Sequence, residues 1–336
     1  MSEGEYLETI AAMRKHYKVA ASTADWLGLP IVIFSVGGQE EPGVLVTAGA
    51  LGIEASGVYA ALELLVEVDI EKRTYVLPSR DPTGFQGLGF VLKKLLGEEV
   101  GVGSPSDAVR LLADSGAEVL IDDDDVFLAL VRGVGIAVGR NLSATDPVRH
   151  LERKLREREL LEPLDSTRIV VAPRLPAEGS GEAGRLVTAF VREVRVLTYD
   201  DLAEGVPESD FLRRFVDAHD LGLVIDLHES GAASFYALTS ERPSSVEDTM
   251  LYIVLDQVRS KGYRVASVDE LAQLNLSAAK EGVGYGRGVC GLIDYASSKA
   301  YAFAFVAPAS LPAEARSDAL KTASLSALNA FMVVSA

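Results

Sequence analysis

The sequence predicts an α/β protein with one domain, in which helices cover both faces of a mainly parallel, mixed sheet. Three observations lead to this prediction. Segments with strand patterns alternate with segments with helical patterns along the whole chain. The segment 221–230, LGLVIDLHES, begins as an uninterrupted apolar run, which is typical of the middle of a parallel sheet. No repeat, linker or break in composition divides the chain, so residues 1–336 are treated as a single domain.

The helices are predicted from apolar residues at helical spacing and from capping residues. In the first helix, Leu7, Ile10 and Met13 follow this spacing. Ser104 and Pro105 are suited to the cap and the first position of another helix. In chain order, the predicted helices cover about residues 5–17, 55–68, a segment beginning at 105, 148–160, 206–220, 246–262 and 311–334.

The strands are predicted from apolar runs that end in glycine, proline or polar residues. In chain order, these segments are 29–38, 43–51, 73–85 with its closing turn, 166–175, 221–230 and 300–308. A strongly charged helix and the sequence PRLPAEGSGEAG fall close together in the middle of the chain. Residues of about 150–185 are therefore the best candidate for an insertion into the domain.

Composition excludes several classes of function. The formal net charge of −17 disfavours nucleic acid and anionic membranes as partners. No run approaches the roughly 18 apolar residues that a membrane span needs, and the acidic N-terminus does not resemble a secretory signal. Cys290 is the single cysteine, which excludes an internal disulfide and favours a reducing cytoplasm. Only three asparagines and four glutamines occur, which indicates a thermophilic source.

Four segments place polar residues at predicted strand ends, where α/β sheets carry their chemistry. They are GALGIE (49–54), PSRDPTGF (78–85), GIAVGRNL (135–142) and DLHES (226–230). The chain has four histidines, and only His228 lies at such a strand end.

Taken in order, these segments resemble the motifs of the zinc carboxypeptidases and of the related succinylglutamate desuccinylase and aspartoacylase deacylases. The resemblance runs from about residue 29 to residue 331. The family's His-x-x-Glu motif is similar to residues 51–54, with Glu54 at the glutamate and Leu51 at the histidine. The Asp-Leu-His segment that carries another metal ligand is similar to residues 226–228. The resemblance therefore assigns Glu54 and His228 to the metal and leaves the third ligand position to Leu51.

The remaining motifs concern the substrate and the general base. GIAVGRNL is similar to the family segment whose arginine binds the substrate carboxylate, which assigns that role to Arg140. Tyr285 matches the mobile tyrosine that covers the substrate, and Asp81 begins a segment similar to the family's Asn-Pro-Asp-Gly turn. The strand that carries the general-base glutamate is similar to residues 303–306, where Val306 occupies the glutamate position.

The two departures act on different steps of hydrolysis. A catalytic zinc needs three protein ligands and an open position for water, and leucine has no lone pair to offer. A general base typically contributes about 10²–10⁴-fold to the rate, and valine cannot transfer a proton. Because Leu51 and Val306 are both aliphatic, we expect the pocket to be refilled with apolar side chains.

The residues that remain leave several interpretations open. Glu54 can cap the following helix or pair with His228, and Arg140 can bind a carboxylate or form an ion pair with Asp81 or Glu54. Glu229 could serve as a replacement acid only if the strand has already ended at that point. The run Asp122 to Asp125 reads as a solvated turn more than as a calcium site. We expect Cys290 to be a small packing residue and the glycines near residue 285 to form a pocket-rim loop.

The resulting hypothesis is a cytoplasmic, zinc-carboxypeptidase-like protein that is either catalytically inactive, a pseudoenzyme, or strongly divergent in its chemistry. It would retain a pocket for a peptide or a small carboxylate-bearing ligand, and no metal or other cofactor. The alternative is an active metal-dependent carboxypeptidase or amidohydrolase with a rebuilt zinc site, in which Asp81 or Glu229 joins Glu54 and His228. A structural or assembly role is a third reading. The sequence predicts no oligomeric state.

Overall fold

A computed structural model of the chain describes residues 5–97, 102, 104–142, 146–173 and 184–335. The strands are listed in chain order: β1 (Lys18–Ala24), β2 (Pro30–Gly37), β3 (Glu40–Ala48), β4 (Lys72–Leu77), β5 (Glu118–Asp122), β6 (Val126–Val131), β7 (Val134–Gly139), β8 (Arg168–Ala172), β9 (Val187–Arg192), β10 (Arg195–Thr198), β11 (Leu221–Ser230), β12 (Tyr236–Thr239), β13 (Ser277–Lys280), β14 (Val283–Tyr285) and β15 (Tyr301–Pro308).

The helices alternate with these strands over most of the chain. They are α1 (Glu5–His16), α2 (Ala55–Glu67), α3 (Pro82–Gln86), α4 (Leu88–Leu96), α5 (Pro105–Asp114), α6 (Pro147–Glu157), α7 (Pro207–Ala218), α8 (Ser245–Ser260), α9 (Val268–Gln273), α10 (Gly291–Ala296) and α11 (Ala313–Val334). Among the described residues, no helix combines the length and the apolar character that crossing a membrane requires.

Nine strands form the first sheet, in the order β1-β2-β4-β3-β11-β15-β12-β14-β13. The three central pairings, β4 with β3, β3 with β11 and β11 with β15, are parallel. Antiparallel strands flank this centre on both sides. The predicted α/β class and the mixed sheet are therefore confirmed, with the parallel pairs concentrated where the carboxyl ends of β3, β4, β11 and β15 meet.

Helices cover both faces of the first sheet, as expected. One face packs against α1, α2, α8 and α11 through side chains such as Phe34, Ile225 and Phe303, which are fully buried. The other face packs against α7 and α10 and contains Val224 and Val306. Alternation along β11 directs Leu227 to the first face and Asp226 and His228 to the second.

The second sheet has six strands, in the order β10-β9-β8-β7-β6-β5, and the sequence reading did not anticipate it. Only β7 and β8 pair in parallel. Two of its hairpins have two-residue turns with left-handed backbones, at Arg132 with Gly133 and at Glu193 with Val194. Both central residues of such turns have positive φ, as a type I′ hairpin requires. The predicted insertion at about 150–185 falls within this part of the chain, and residues 174–183 of it lie outside the described residues; its status as an insertion stays a prediction.

The second sheet also packs on the turn that follows β3. One of its faces covers α6 and forms a buried cluster with Val126, Leu151 and Leu155. Leu51 and Ile53 pack against this cluster from the turn between β3 and α2. The side chain at position 51 therefore belongs to a contact between the two sheets, which explains why an aliphatic residue is favoured there.

Candidate functional site

The site lies at the carboxyl ends of the central parallel strands, on the face covered by α7 and α10. Strand β11 contributes Asp226 and His228, and Thr47 on β3 is the register partner of Asp226. The Thr47 hydroxyl donates a 2.7 Å hydrogen bond to Asp226 Oδ1. Gly49, with a φ of 60°, turns the chain directly after β3, and its carbonyl accepts from the backbone N–H groups of Arg80 and Asp81. These hydrogen bonds connect the carboxyl end of β3 to β11 and to the segment that follows β4.

Glu54 and His228 are in direct contact, as one of the sequence interpretations predicted. His228 Nδ1 lies 3.2 Å from Glu54 Oε1, and both side chains are buried. Glu54 is the residue before α2, but its carboxylate does not cap that helix. The same Oε1 accepts the backbone N–H of Glu229, whereas Oε2 is buried without a hydrogen-bond partner.

Arg80 supplies a buried guanidinium to the other side of Asp226. Arg80 Nη2 lies 2.5 Å from Asp226 Oδ2 and 3.9 Å from Asp200 Oδ1. The arginine is 4% exposed and Asp226 is fully buried. Removing one partner of such a buried pair typically costs about 3–5 kcal/mol, because the other charge is left without compensation.

Asp200 and Cys290 complete the group around the second ring nitrogen of His228. His228 Nε2 lies 2.9 Å from Asp226 Oδ2 and 3.6 Å from Asp200 Oδ1. Cys290 Sγ lies 3.4 Å from Asp226 Oδ2 and 3.7 Å from His228 Nε2. Cys290 packs in the apolar cluster beneath α7 and α10, as expected of a small packing residue, and its sulfur also contacts Asp226 and His228. We call Glu54, Arg80, Asp200, Asp226, His228 and Cys290 the His228 network.

The crowding of charges shifts the pKa of several members of the network. Burial disfavours the charged form of His228, but Asp226, Glu54 and Asp200 outweigh it and raise the histidine's pKa well above its usual range. Burial also opposes ionisation of Asp226, yet Arg80 and His228 hold the pKa of this carboxyl far below its ordinary value. Burial raises the pKa of Asp200 to about 6, although His228 and Arg80 act in the opposite direction.

Cys290 is a poor nucleophile in this environment. Burial and the carboxylates of Asp200 and Asp226 raise the pKa of its thiol to about 12. Reactive cysteines instead have a lowered pKa and an electropositive setting. The arrangement therefore does not support catalysis by a cysteine thiolate.

Leu51 and Val306, the two aliphatic residues singled out by the sequence motifs, have packing roles in the structure. Val306 on β15 is the register partner of His228 on β11, and it is 3% exposed within the cluster beneath α7 and α10. Leu51 lies in the turn before α2, and its carbonyl accepts the backbone N–H of Glu54. Neither side chain offers a donor or acceptor to the network.

The proposed substrate residues lie elsewhere. Arg140 follows β7 in the second sheet, where its guanidinium forms an ion pair with Asp122 at 2.7 Å and donates to the Asp123 carbonyl at 2.6 Å. Tyr285 ends β14 and is the register partner of Thr239 near the edge of the first sheet. The structure thus brings Glu54, His228 and Val306 together and gives Arg140 partners in the second sheet.

The two acids considered as replacement ligands have other partners. Asp81 caps α3 through Gly84 and accepts both the backbone N–H and the hydroxyl of Thr188, at 2.9 and 2.7 Å. Glu229 accepts the Ser56 N–H at the start of α2 and pairs with Arg316 at 2.7 Å. Its carboxylate is directed away from Asp226 and His228, as strand alternation predicts.

Sequence analysis gave no part in the site to four members of the network, Arg80, Asp200, Asp226 and Cys290. Arg80 stood inside the quoted segment PSRDPTGF but was given no role. Asp200 follows the short strand β10, and Cys290 precedes α10 in the glycine-rich loop. A polar residue directly after a strand was the available signal for Arg80 and Asp200, whereas nothing in the local sequence connects Cys290 to the site.

The donor atoms do not fit a zinc ion at the family's position. Residues 51, 54 and 228 would supply the ligands there, and only Glu54 and His228 have donor atoms. These two bond to each other, and the unpartnered Glu54 Oε2 is the single free donor that remains between them. A catalytic zinc requires three protein ligands, so we assign no zinc-bound water to this position.

The chain is similar to several solved structures over almost its whole length. A candidate metallopeptidase from Shewanella baltica OS155 is 14% identical, with 99% of this chain and 91% of that chain covered and a TM-score of 0.46. A metallo-carboxypeptidase from Pseudomonas aeruginosa, in complex with (2-guanidinoethylmercapto)succinic acid, is 12% identical, with 99% and 69% covered and a TM-score of 0.46. Bovine thrombin-activatable fibrinolysis inhibitor, in complex with tick carboxypeptidase inhibitor, is 12% identical, with 100% and 97% covered and a TM-score of 0.45.

No protein-family model and no curated protein matches the sequence. At such identities and TM-scores the similarities carry no information about the site. The chemistry of the site therefore follows from the contacts of its own residues.

Proposed function

We propose that this chain is a divergent protein of the zinc-carboxypeptidase type that binds a small peptide or carboxylate-bearing ligand without hydrolysing it. One observation carries the proposal: both positions that hydrolysis would need are filled by aliphatic side chains with packing roles. Leu51 belongs to the contact between the two sheets, and Val306 is buried beside His228. Without a third ligand and a general base, activation of a zinc-bound water has no basis at this site.

A cleft beside the His228 network offers a place for the ligand. Its volume is about 540 Å³, which lies within the usual range of small-molecule sites. The lining residues come from β10, the loop that follows it, α7 and the start of α10. Asp200 belongs both to the lining of this cleft and to the network. A ligand in the cleft would therefore contact the network through the Asp200 carboxylate.

The charges of the cleft suit a ligand that carries both an amine and a carboxylate. Arg195 and Arg213 provide guanidinium groups, while Asp200, Asp201 and Asp294 provide carboxylates. The Arg213 guanidinium lies 4.8 Å from the centre of the Tyr295 ring, which restricts its orientation. Guanidinium groups bind carboxylates with two parallel hydrogen bonds, and carboxylates bind ammonium groups. Amino acids and short peptides present both groups.

The test has a binding arm and a hydrolysis arm. Purified protein is titrated with free amino acids, N-acetyl amino acids and dipeptides, and binding is measured by calorimetry. We expect at least one of these compounds to bind and Arg213→Ala to weaken that binding about tenfold or more. Arg140→Ala is the comparison variant, because Arg140 pairs with Asp122 in the second sheet and does not line the cleft. Loss of binding in Arg140→Ala with full binding in Arg213→Ala would assign the ligand to Arg140, as the sequence resemblance predicts, and would overturn the assignment to the cleft. A role for Tyr285 in ligand binding stays a prediction.

The hydrolysis arm uses the same compounds with added Zn²⁺ or Co²⁺, with and without a chelator. We expect no turnover in any condition. Turnover that a chelator stops would overturn the proposal and favour the alternative, an active metal-dependent carboxypeptidase or deacylase with a rebuilt centre. A cytoplasmic location, a thermophilic source and the exclusion of nucleic acid as a partner stay predictions.

A further inference from the structure

The second ring nitrogen of His228 faces a set of donor atoms that the family resemblance does not include. His228 Nε2, Cys290 Sγ, an Asp200 oxygen and an Asp226 oxygen all lie within 4.8 Å of one another. The separations of His228 Nε2 from Asp226 Oδ2 and Asp200 Oδ1 are 2.9 and 3.6 Å, and its separation from Cys290 Sγ is 3.7 Å. In a tetrahedral zinc site with bonds of about 2.0–2.3 Å, ligand atoms are roughly 3.3–3.7 Å apart. The separations of His228 from Asp200 and Cys290 fall in this range, whereas Asp226 is a hydrogen-bond distance from the imidazole and would have to move slightly away from it.

We propose that these four residues form a closed, structural site for a divalent transition metal, in which Asp200, Asp226, His228 and Cys290 are the ligands. Thiolate, imidazole and carboxylate together suit zinc or cobalt better than magnesium or calcium, which prefer oxygen ligands alone. Four protein ligands leave no open position for water, which is the mark of a structural site. The proposal does not depend on the ligand of the neighbouring cleft.

A carboxylate oxygen of Asp200 without a hydrogen-bond partner in the described part of the chain supports the same site. Asp200 Oδ1 is buried and has no hydrogen-bond partner among the described residues, although it lies 3.6 Å from His228 Nε2 and 3.9 Å from Arg80 Nη2. Buried carboxylate oxygens are normally hydrogen-bonded, so an orphan of this kind calls for an explanation. A metal ion bound between Asp200 and His228 would provide the missing partner.

The balance of permanent charges is consistent with a divalent ion. Three carboxylates, those of Glu54, Asp200 and Asp226, meet a single guanidinium, that of Arg80, among the residues of the His228 network. Arg80 would keep its contact with Asp226, because a carboxylate oxygen can accept a hydrogen bond while it binds a metal. Binding would release the thiol proton of Cys290 and one proton of the His228 imidazolium to solvent. The four negative charges of Glu54, Asp200, Asp226 and the Cys290 thiolate would then face Arg80 and an ion with two positive charges.

Glu54 acquires a different role in this arrangement. The Glu54 carboxylate lies 3.2 Å from His228 Nδ1 and would accept a hydrogen bond from it. This bond would direct the other ring nitrogen, Nε2, toward the ion. Metal-binding histidines usually have such a carboxylate behind them, and its removal typically costs about 10–100-fold in affinity. The metal would thus have moved from the Nδ1 side of His228, where the family motif places Glu54 as a ligand, to the Nε2 side.

The backbone holds two of the ligands at a fixed separation. Gly291 donates its N–H to the Asp200 carbonyl at 3.0 Å. A Cβ atom at Gly291 would lie 2.6 Å from backbone atoms of Asp200 and Asp201, so only glycine permits this approach. Cys290 is therefore kept beside Asp200 by main-chain contacts, before any metal is present.

Cobalt provides a direct test, because Cys290 is the only cysteine of the chain. The full-length, metal-stripped protein is titrated with Co²⁺ under reducing conditions while its absorption spectrum is recorded. We expect one ion per chain, a thiolate-to-cobalt charge-transfer band and the visible bands of tetrahedral cobalt. We also expect Zn²⁺ to displace the cobalt and to raise the midpoint of thermal unfolding.

Single substitutions distinguish binding of the metal by Asp200, Asp226, His228 and Cys290 from binding at the family position beside Glu54. Cys290→Ser should abolish the charge-transfer band, and Asp200→Asn, at a partly exposed residue, should weaken cobalt binding at least tenfold. Glu54→Gln should weaken binding about 10–100-fold but keep the band. Circular dichroism of each metal-free variant confirms that it is folded. Cobalt binding without a thiolate band, lost in Glu54→Gln and kept in Cys290→Ser, would place the ion at the family position and overturn the proposal, as would the absence of stoichiometric binding by folded protein.

Discussion

The His228 network and the acidic turn, residues Asp122–Asp125, contain the same kinds of groups in opposite surroundings. In the acidic turn, Lys154 lies 2.5 Å from Asp125 and Arg140 lies 2.7 Å from Asp122, while the Asp122 side chain is 56% exposed. In the network, Arg80 and Asp226 meet at a similar distance but are almost completely buried. Exposed pairs typically contribute about 0–1 kcal/mol, because water solvates the separated charges equally well. Burial, and not the density of charge along the sequence, therefore decides where charged groups control stability and chemistry.

The largest expected effect is the loss of stability on removing a carboxylate from the His228 network, compared with removing one from the acidic turn. Asp226→Asn leaves Arg80 and His228 without their shared carboxylate, so we expect the free energy of unfolding to fall by about 3–5 kcal/mol. Asp122→Asn breaks the Arg140 pair at the surface and should cost about 1 kcal/mol or less. Urea titrations of both variants and of the wild type measure the difference. Equal effects in the two variants would contradict the role assigned to burial.

A second test asks whether burial acts in the same way outside the network. Burial raises the pKa of Asp81 from 3.8 to about 6, although Thr188 and Gly84 donate hydrogen bonds that oppose the shift. The folded protein therefore holds this proton more tightly than the unfolded chain, and the stability that Asp81 contributes falls as the pH rises from about 4 to about 6. The expected loss is about 3 kcal/mol relative to Asp81→Asn, in which the titrating group is absent.

Urea titrations of the wild type and of Asp81→Asn between pH 4 and pH 7 measure how the difference in their free energies of unfolding changes with pH, which is the slope of interest. Thr188→Val provides the matched control, because it keeps Asp81 and removes a donor that favours the carboxylate. The slope of that variant should be steeper and should extend to higher pH. A difference between wild type and Asp81→Asn that does not change with pH would argue against the shift.

A third test concerns the contact between the two sheets. Leu51→His restores the histidine of the family motif but places a polar ring against the apolar cluster of the second sheet, so we expect a loss of about 1–3 kcal/mol. Leu51→Met, similar in volume, should cost less than about 1.5 kcal/mol. Thermal unfolding measures both. Because Val306 still occupies the general-base position, we expect no metal-dependent hydrolysis from Leu51→His, and its appearance would show that one substitution is enough to restore activity.

The smallest effect is expected at Arg140. Its partners are Asp122 and the Asp123 carbonyl, on the surface of the second sheet. Arg140→Ala should change the free energy of unfolding by about 1 kcal/mol or less. A much larger change would mean that the acidic turn organises the second sheet, and the contrast with the His228 network would then be weaker than the structure indicates.

Part of the site could be read from the sequence because it lies on regular strands. The family resemblance identified Glu54, His228 and Val306, and the end of an apolar strand also indicated His228. The mutual positions of these residues depend on the register of β11 and β15 and on the turn before α2. Arg80, Asp200 and Cys290 come from three loops, and their convergence depends on long-range packing that no local pattern records. Arg140 matched a motif, yet its strand belongs to a sheet that was not foreseen.

The second sheet escaped sequence analysis for an identifiable physical reason. Its hairpin turns use Arg132 with Gly133 and Glu193 with Val194, whereas the recognisable two-residue turns contain Asn-Gly or Asp-Gly. An arginine, a glutamate and a valine with positive φ gave no turn signal. Residues 135–142 lie at a predicted strand end, but nothing in the sequence indicates that this segment pairs with residues 126–131 in the hairpin of β6 and β7.

The order of strands in the first sheet has a consequence for synthesis on the ribosome. Strand β15 lies between β11 and β12, and Arg316 of α11 pairs with Glu229, the residue after His228. Strand β15 begins at Tyr301, and β11 ends at Ser230. A nascent chain would therefore carry the open edge of β11 while the segment between these two strands is synthesised. The surroundings of His228 are complete only when β15 has paired with β11 and Arg316 of α11 has reached Glu229.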